Sequence, residues 1–568
     1  MKNIHSWPSR TKFHCPKHSL LRTVTIFFLM MLSCSLPAAR TTVPESAVDH
    51  LVQREMSEWG IRGVALALVD EQGVLYAQGY GEAQRDSVFR CGSISKLFNA
   101  IAVMQQVEAG RLDLDVPLET QGFTLPILNP FSGSPPLTLR QLLSHRSGLP
   151  REAAVGGYLD GSEPGLAATI ASVAGNVLVT RPTDKTRYSN LAPSIAGYLV
   201  ERTSGSNFET YQKQHILGPL GMTHSAWTLA QLASQRRRPI ISHMRVADGR
   251  GGWKDRRAPV FDLGTIPAGN LFSTVDDLGL FAAALLRGGR GLLRPETLVS
   301  MWVPQFTSDR VGFGIGFGVG EFRGHRSVGH SGAVYGHSTS LLLLPDQKLG
   351  VIVMGNEDVV NARIQHVAME ALGLILEGAS PSAVSPTAAA AMSAAELSSF
   401  AGDYESQSYW ARLEVRGGRL IGDLSGQPSR FEARTPSEFV VNSRIENATP
   451  VRFERGPAGD VVGFTVGRNA PQHYRRVLQP GAALPKSWRF CLGSYGPHFA
   501  PIVISERYGH LYAMTENMVD YRLMPVNRTV CLLPPGMYVD EQLVFLGDGT
   551  GRGRCPAIQF ANMVFRRR

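Results

Sequence analysis

Residues 89–110 constrain the fold of this 568-residue chain more than any other stretch. Apolar residues recur there at every third or fourth position, which is the spacing of one buried face of an α-helix, until Gly110 ends the run. Ser93 falls in the first turn of the predicted helix, and Lys96 stands three residues later on the same face. The sequence therefore predicts a contact between the Lys96 amine and the Ser93 hydroxyl.

This pair contains the elements of a nucleophile and its base. A neutral amine can take the hydroxyl proton, and the positive end of a helix favours the alkoxide that results. Burial and the same helix end lower the pKa of Lys96, as a base that acts near neutral pH requires. The same spacing occurs at Ser9 and Lys12, but that copy lies in the N-terminal segment.

That N-terminal segment, residues 1–39, has the composition of an export signal. Five basic residues precede an apolar run at 23–36, and Ala38 and Ala39 follow it. Because the run is short for a bilayer span, we expect the chain to be exported to a periplasm or secreted. A retained N-terminal anchor, or a lipid on Cys34, would instead tether it to a membrane.

The composition describes a folded globular protein of two to four domains, with 43% hydrophobic and 18% charged residues. The net charge of +10 would suit nucleic acid, but the basic residues are scattered and form no stripe interleaved with aromatics. We therefore expect no nucleic-acid partner, and the sequence indicates no protein partner. Cys491, Cys531 and Cys555 share the last predicted domain, where at most one disulfide can form.

Helical and strand patterns mix along residues 40–378 and predict an α+β domain. A helix and a hairpin open it, a second hairpin and a helix close it, and a helical insert lies between them. We expect an antiparallel sheet flanked by helices. Predicted helices cover 44–59, 137–143, 189–200 and 359–377, and predicted strands cover 64–69, 74–77, 311–320, 340–344 and 351–354.

Residues 379–395 are rich in Ala, Ser and Pro and are predicted to form a linker. The chain beyond them repeats with a period of 91 residues, so that Tyr404 recurs as Tyr495. We expect two repeated antiparallel β-barrel-like units, the first at 396–480 and the second at 486–568. They carry no recognisable chemistry, and their predicted role is to stabilise or cover the first domain, or to gate its substrate.

Two further motifs can complete a site around Ser93. Tyr188 and Asn190 form the only Tyr-x-Asn of the chain, in which the phenol can relay protons to a leaving group and the amide can hold a substrate amide. A third element, His145 in the turn at 144–150, is interpreted as structural.

The second motif, at 330–333, follows a glycine-rich strand. It begins with His330 and Ser331, and Gly332 would let a substrate backbone lie alongside the strand. The backbone N–H of Ala333 can pair with that of Ser93 as an oxyanion hole.

These motifs resemble those of the serine β-lactamase and penicillin-binding-protein superfamily, in particular its class C-like, D-aminopeptidase and DD-peptidase branch. The resemblance covers about residues 44–377 and includes the segments at 89–96, 137–150, 217–222 and 267–274. It implies that Ser93 is acylated, that Lys96 and Tyr188 form the acid/base pair, that Asn190 holds the substrate amide and that His330 belongs to the third motif. The β units resemble lipocalin-like accessory domains. No cofactor or metal is implied.

The resemblance implies an exported serine hydrolase acting on small molecules or short peptides, with D-amino-acid peptides, amides and small esters as expected substrates. True β-lactamases usually carry Lys in the third motif, whereas His330 is only partly charged near neutral pH. We therefore expect peptides, amides or esters as substrates, and hydrolysis of β-lactams is the alternative function. A non-catalytic binding or scaffold protein on the same fold is an alternative of another class.

Two other chemistries fit the sequence less well. The stretch 329–333 nearly matches G-x-S-x-G, which would make Ser331 the nucleophile, but the expected helix does not follow it. A metal site on His325, His330 and His337 lacks any helical pair of ligands.

Overall fold

Seven antiparallel strands form the sheet at the centre of residues 41–377. The computed structural model describes residues 41–247, 253–377, 392–468, 471–478, 483–547 and 553–568, so the predicted signal at 1–39 and most of the predicted linker lie outside the described residues. In sheet order the strands are β2 (Gly73–Gly81), β1 (Gly63–Asp70), β11 (Leu349–Gly355), β10 (His337–Leu344), β9 (His325–Val334), β8 (Gly318–Phe322) and β7 (Gly312–Phe313).

Two short strand pairs lie outside this sheet. They are β3 (Phe89–Arg90) with β6 (Phe272–Ser273), and β4 (His243–Ala247) with β5 (Trp253–Arg257). The α-helices of the described residues are α1 (Glu45–Trp59), α2 (Ser95–Glu108), α3 (Leu139–Leu143), α4 (Leu166–Ala171), α5 (Leu191–Ser204), α6 (Phe208–Gln212), α7 (Gly218–Leu220), α8 (Leu229–Ser234), α9 (Ile266–Gly269), α10 (Val275–Leu286), α11 (Pro295–Met301), α12 (Asn361–Leu376) and α13 (Ala394–Ser398).

Helices cover both faces of the sheet. Strand β1 is buried along its whole length because its alternate residues enter two different cores. Val64, Leu66 and Leu68 pack with α1 and α12 on one face, and the residues that alternate with them pack with α2 and α10 on the other. This arrangement confirms the predicted α+β class. It places α10 against the sheet and α2, which follows Ser93, in the same apolar core.

The prediction of one strand over 311–320 is wrong. Two short strands, β7 and β8, form an antiparallel pair there, separated by a turn in which Gly316 has φ +79°. A Cβ atom at Gly316 would lie 2.3 Å from the Cβ of Ala100 on α2. The glycines therefore allow a tight turn against a helix, which a pattern with period two does not distinguish from a strand.

The first β unit is a closed barrel of eight antiparallel strands, whereas the second is divided into sheets of four and five strands. The barrel comprises β12 (Gly402–Glu405), β13 (Trp410–Arg416), β14 (Arg419–Leu424), β15 (Gln427–Ala433), β16 (Glu438–Ser443), β17 (Thr449–Arg455), β18 (Val461–Val466) and β19 (Gln472–Arg476). The second unit comprises β20 (Gly493–Tyr495), β21 (Ile502–Arg507), β22 (His510–Met514) and β23 (Asp520–Arg522), then β24 (Met524–Pro525), β25 (Val530–Leu532), β26 (Gln542–Leu546), β27 (Ala557–Phe560) and β28 (Met563–Arg566).

The 91-residue repeat is visible in the hydrogen bonds of the two units. The Tyr404 hydroxyl donates to the carbonyl of Phe400 at 2.7 Å, and the Tyr495 hydroxyl donates to the carbonyl of Cys491 at the same 2.7 Å. Both tyrosines are buried. Buried hydroxyls need such partners, so the repeat preserves a structural contact.

Both β units pack on the first domain, and Thr41–Arg568 forms one compact unit. Arg444 of the first unit donates to the carbonyls of Asp358 at 3.0 Å and Val359 at 3.2 Å. Glu541 of the second unit forms a buried ion pair with Arg187 at 2.8 Å. The second contact adjoins Tyr188, so this unit reaches the predicted site.

Two further features concern the redox state of the cysteines and the length of the helices. Cys491, Cys531 and Cys555 are buried free thiols, and no disulfide links them in this structure. Within the described ranges, every helix is too short or too polar to cross a bilayer.

Candidate active site

Ser93 lies in a 3₁₀ turn, Gly92–Ile94, that leads into α2. Gly92 has φ +54°, and a Cβ atom there would lie 2.8 Å from the backbone nitrogen of Ala333. A side chain would therefore be strained and would collide with β9. The Ser95 hydroxyl fixes the turn, since it donates to the carbonyl of Gly92 at 2.6 Å. The turn thus holds Ser93 beside the end of β9.

Lys96 is buried and reaches Ser93, as the spacing predicts. Its Nζ lies 2.9 Å from Ser93 Oγ, 2.8 Å from Asn190 Oδ1 and 2.7 Å from the carbonyl oxygen of Ala268. Burial lowers the pKa of Lys96 well below its ordinary value, and the Arg151 guanidinium lowers it further. The amine is therefore poised to be neutral.

The contacts of Lys96 leave its lone pair to Ser93. A neutral amine has two N–H donors and one lone pair, and the oxygens of Asn190 and Ala268 can only accept. Glu152 fixes the orientation of the Asn190 amide, because Asn190 Nδ2 donates to Glu152 Oε1 at 2.6 Å. In its neutral form the amine has both N–H groups engaged in this way, which leaves its lone pair available to the Ser93 hydroxyl.

Tyr188 completes the contacts of the Ser93 oxygen. Its hydroxyl donates to Ser93 Oγ at 2.8 Å. Burial raises the pKa of Tyr188 to about 12, although the hydrogen bond to Ser93 and the charge of Arg151 oppose the shift. Tyr188 is therefore a phenol near neutral pH, which suits a proton donor better than a base.

His145 supports Tyr188, in agreement with its predicted structural role. The two rings stack with centroids 4.2 Å apart, and His145 Nδ1 accepts the backbone N–H of Ser189 at 3.2 Å. Burial, with Lys96 and His330 nearby, lowers the pKa of His145 well below its ordinary value. The neutral ring thus positions the phenol.

His330 is uncharged in this site, which corrects the prediction of a partly charged third motif. Burial and the nearby Lys96 lower its pKa to about 4. Its Nδ1 lies 2.5 Å from the carbonyl oxygen of Ser331, which can only accept, so Nδ1 carries the proton. Nε2 is then an acceptor, and it is buried without a hydrogen-bond partner among the described residues. The third motif therefore carries a neutral ring and not a cation.

The segment after His330 belongs to β9, where it extends past the end of β8. A Cβ atom at Gly332 would lie 2.1 Å from the carbonyl oxygen of Cys91, so close packing against the Ser93 turn already requires glycine. Ser331 lies within the strand and not at a turn from strand to helix. The nucleophile-elbow interpretation is therefore wrong.

The predicted residues surround one cavity of about 460 Å³. Lys96 lies next to this cavity and is hydrogen-bonded to Ser93. The cavity also has walls from both β units, through Ile445 of the first and Glu516 and Met537 of the second. The predicted residues that line it are Ser93, Tyr188, Asn190, His330, Ser331, Gly332 and Ala333.

Sequence reasoning missed three charged residues of this site. Arg151 stands over the ring of Tyr188, with its guanidinium carbon 5.3 Å from the ring centroid, and its Nε lies 3.5 Å from Glu152 Oε1. Glu152 orients Asn190, and Glu516 lines the cavity. Arg151 and Glu152 directly follow the quoted segment 137–150, which is the one signal that could have found them. The described residues contain no group of three His, Cys, Asp or Glu side chains placed to hold a metal ion.

Comparison with known proteins supplies the family. A model of the Beta-lactamase family matches residues 48–373. The chain belongs to the Beta-lactamase family. The matched residues contain the sheet, α2 and all the predicted site residues, so the contacts around Ser93 lie in the Beta-lactamase domain, whereas the β units lie outside the match.

Relatives cover the same part of the chain. A beta-lactamase-like protein of Homo sapiens is 29% identical over 329 residues, which are 54% of this chain and 63% of that protein. An unguisins hydrolase of Aspergillus campestris is 24% identical over 327 residues, or 54% of this chain and 60% of that protein. The chain thus spans less than two thirds of either relative.

One solved structure extends the likeness beyond the Beta-lactamase domain. An octameric penicillin-binding protein homologue from Pyrococcus abyssi matches with a TM-score of 0.54 and 22% identity, covering 76% of this chain and 100% of that chain. At this identity the likeness concerns the fold.

The protonation states predict the pH dependence of any Ser93-dependent hydrolysis. Activity should rise with pH as Lys96 loses its proton, because only the neutral amine can accept one. His330 has a pKa of about 4, so it should add no further rise or fall to the pH–rate profile between about pH 5 and about pH 9. We expect His330→Gln to keep the acidic limb of kcat/KM where the wild type has it. A limb that disappears in His330→Gln would contradict this assignment.

Proposed function

We propose that this chain is an exported serine hydrolase that forms an acyl-enzyme on Ser93 and cleaves an amide or ester. Peptides and amides of D-amino acids, and small esters, are the proposed substrates. The observation that carries the proposal is the contact of Lys96 with Ser93 at 2.9 Å, in which both N–H groups of the neutral amine have other acceptors. Membership of the Beta-lactamase family and the name of the fungal relative, a hydrolase, support it.

The reaction begins when Ser93 Oγ attacks the acyl carbon and Lys96 takes the hydroxyl proton. The N–H groups of Ser93 and Ala333 stabilise the oxyanion. Tyr188 then gives its proton to the leaving group, the bond to that group breaks, and the Lys96 ammonium restores the phenol. Water then attacks the acyl carbon, and the same proton transfers take place in the opposite direction. The bond to Ser93 Oγ breaks and the acid is released.

The first experiment tests the nucleophile. A fluorescent serine-reactive phosphonate should label the wild type and Ser331→Ala but not Ser93→Ala. Labelling that depends on Ser331 would contradict the assignment. No labelling of the wild type would favour the non-catalytic binding protein.

The second experiment identifies the substrate class. Purified protein is assayed with D-amino-acid amides, short-chain nitrophenyl esters and a chromogenic cephalosporin. Because His330 supplies no cation for a substrate carboxylate, we expect turnover of amides or esters well above that of the cephalosporin. The opposite order would make the chain a β-lactamase.

Fractionation of the native host, with detection of the mature N-terminus, tests export and a membrane tether.

Removal of the β units should change the substrate range. A chain ending near Ser393 loses Ile445, Glu516 and Met537 from the cavity wall, while Arg187 regains water in place of Glu541. We expect a folded Beta-lactamase domain whose kcat/KM values on the same substrates change in relative order. Circular dichroism checks the fold. An insoluble fragment would show instead that the β units complete the core.

A further inference from the structure

A second cavity lies between the Beta-lactamase domain and the second β unit. Its volume is about 500 Å³, which is within the range of ligand sites in proteins. Among the described residues, none lines both this cavity and the one that contains Ser93. A ligand here would contact both parts of the chain. One wall consists of Pro130, Pro150 and residues 175–179, and the other of residues 540–542, Val544 and residues 559–562.

The first wall contains a short extended segment with one free edge. Val177 forms an isolated parallel bridge with Leu128. The carbonyl of Asn176 accepts the Leu128 N–H at 2.8 Å, and the Leu178 N–H donates to the Leu128 carbonyl at 3.0 Å. In this pattern the N–H and C=O of Val177 point away from Leu128. Neither group has a backbone hydrogen-bond partner in the described part of the chain, so this edge can pair with a second extended chain.

Asn176 adds an unpaired donor to the same segment. Its Nδ2 is shielded from solvent and has no hydrogen-bond partner among the described residues. A shielded N–H group without an acceptor is costly, so it marks a place where a ligand can supply a carbonyl oxygen. Leu128 and Val177 are 60% and 45% exposed beside it, which lets a ligand also cover apolar surface.

The second wall is the outer face of β26 and β27. Val544 lies directly opposite Gln559 in the register of these strands. The residues that alternate with them are buried in the core of the second β unit, so Gln542, Val544 and Gln559 point outward. An amide side chain both donates and accepts hydrogen bonds, as a peptide group does. This wall therefore complements the free edge of the first.

The two carboxylates at this cavity already have partners. Glu541 forms its ion pair with Arg187 at 2.8 Å, and Asp540 forms one with Lys185 at 2.6 Å. Because these charges are matched within the protein, the lining offers a ligand amide groups and a backbone edge in place of a net charge. It therefore favours a neutral ligand with many hydrogen-bonding groups.

Contacts with the Beta-lactamase domain hold the second wall in place. Ala561 and Asn562 form the turn between β27 and β28 with φ of +49° and +63°, a conformation that is unfavourable for alanine. In this turn Asn562 Nδ2 donates to the carbonyl of Glu152 at 3.2 Å. Glu541 accepts the backbone N–H of Arg151 at 3.0 Å. The cavity is therefore pre-formed, as ligand sites usually are.

We propose that this second cavity binds an extended peptide, which pairs with Val177 along the free edge and contacts Gln542 and Gln559 through its amide groups. A strand edge on one side and amide side chains on the other suit a chain of alternating N–H and C=O groups. The inference goes beyond the function proposed for Ser93 and does not depend on it.

Equilibrium dialysis of Ser93→Ala protein against a mixture of neutral acetyl-tetrapeptide amides, followed by mass spectrometry, tests the proposal. This variant lacks the proposed nucleophile, so retention of a peptide reports binding alone. Val544→Trp fills the second cavity and should weaken binding of the best peptide by at least about tenfold. Met537→Trp narrows the cavity at Ser93 instead and is the matched control, which should keep the affinity within about twofold.

Two further measurements test the contacts. Asn176→Ala should weaken binding by about threefold to tenfold, because the peptide carbonyl loses its donor. Peptides that are N-methylated at one residue at a time should lose affinity by a similar factor at the residue that pairs with Val177. If Val544→Trp does not fold by circular dichroism, Gln559→Trp replaces it.

Retention of no peptide would overturn the inference. So would a loss of affinity in Met537→Trp as large as that in Val544→Trp, since the peptide would then bind at Ser93. Equal affinity for every N-methylated form would contradict pairing with the free edge. Peptide binding in the second cavity by a protein whose wild type turns over no substrate would contradict the hydrolase alone.

Discussion

Lys96→Ala should lower the rate of acylation of Ser93 by about 10³- to 10⁵-fold. The substitution removes the amine that contacts Ser93 Oγ while the hydroxyl, its turn and Tyr188 stay in place. Tyr188 cannot replace the base, because its pKa of about 12 leaves it protonated near neutral pH. The rate is measured as labelling by the phosphonate and as turnover of the best amide or ester.

Lys96→Arg distinguishes a base from a fixed charge. Arginine carries a fixed positive charge and does not release its proton in the working range, so we expect it to be as inactive as Lys96→Ala. Lys254→Ala, at an exposed position of β5, is the matched control and should keep wild-type rates. Near-normal turnover in Lys96→Ala would mean that Tyr188 alone acts as the base.

Glu541→Gln should lower the free energy of unfolding by about 3 to 5 kcal/mol. Glu541 and Arg187 are 5% and 2% exposed and lie 2.8 Å apart, at the contact of the second β unit with the Beta-lactamase domain. Glutamine keeps a hydrogen-bond acceptor but leaves the guanidinium charge buried without a counter-charge. Urea unfolding followed by tryptophan fluorescence measures the loss.

The same contact provides its own control. Lys185 and Asp540 form an ion pair at 2.6 Å beside the buried one, but both side chains are about half exposed. Asp540→Asn should therefore cost at most about 1 kcal/mol. Replacing Arg187 and Glu541 together by Met and Leu should cost less than Glu541→Gln alone, because no charge is then left buried. Equal losses in Glu541→Gln and Asp540→Asn would contradict the importance of burial.

The helix that follows Ser93 and the two hairpins β1–β2 and β10–β11 could be predicted because their signals are local. A helix brings residues three apart onto one face, so the Ser93–Lys96 contact follows from spacing alone. Alternating apolar strands and Gly-rich turns are likewise readable within short windows, and the 91-residue repeat is found by comparing two stretches of the sequence. The glycines of 311–320 predict a strand with one bare face close to another element. Period two does not reveal the turn at Gly316 that divides this stretch into β7 and β8.

The site required the tertiary structure where its parts come from distant segments. Glu152 orients Asn190 across 38 residues of sequence, and Glu541 pairs with Arg187 across 354. The neutral state of His330 also depends on burial by neighbours and not on its motif. Spacing gives no information about such contacts.

The amino-acid sequence by itself determined the nucleophile candidate, the amine beside it, the α+β class and the repeated β units, since each depends on the geometry of one helix, strand or turn. The tertiary structure alone decided that this amine is buried with Asn190 and Ala268 as further acceptors, and that Glu516 lines the same cavity. Both depend on burial and on hydrogen bonds between groups that only long-range packing brings together.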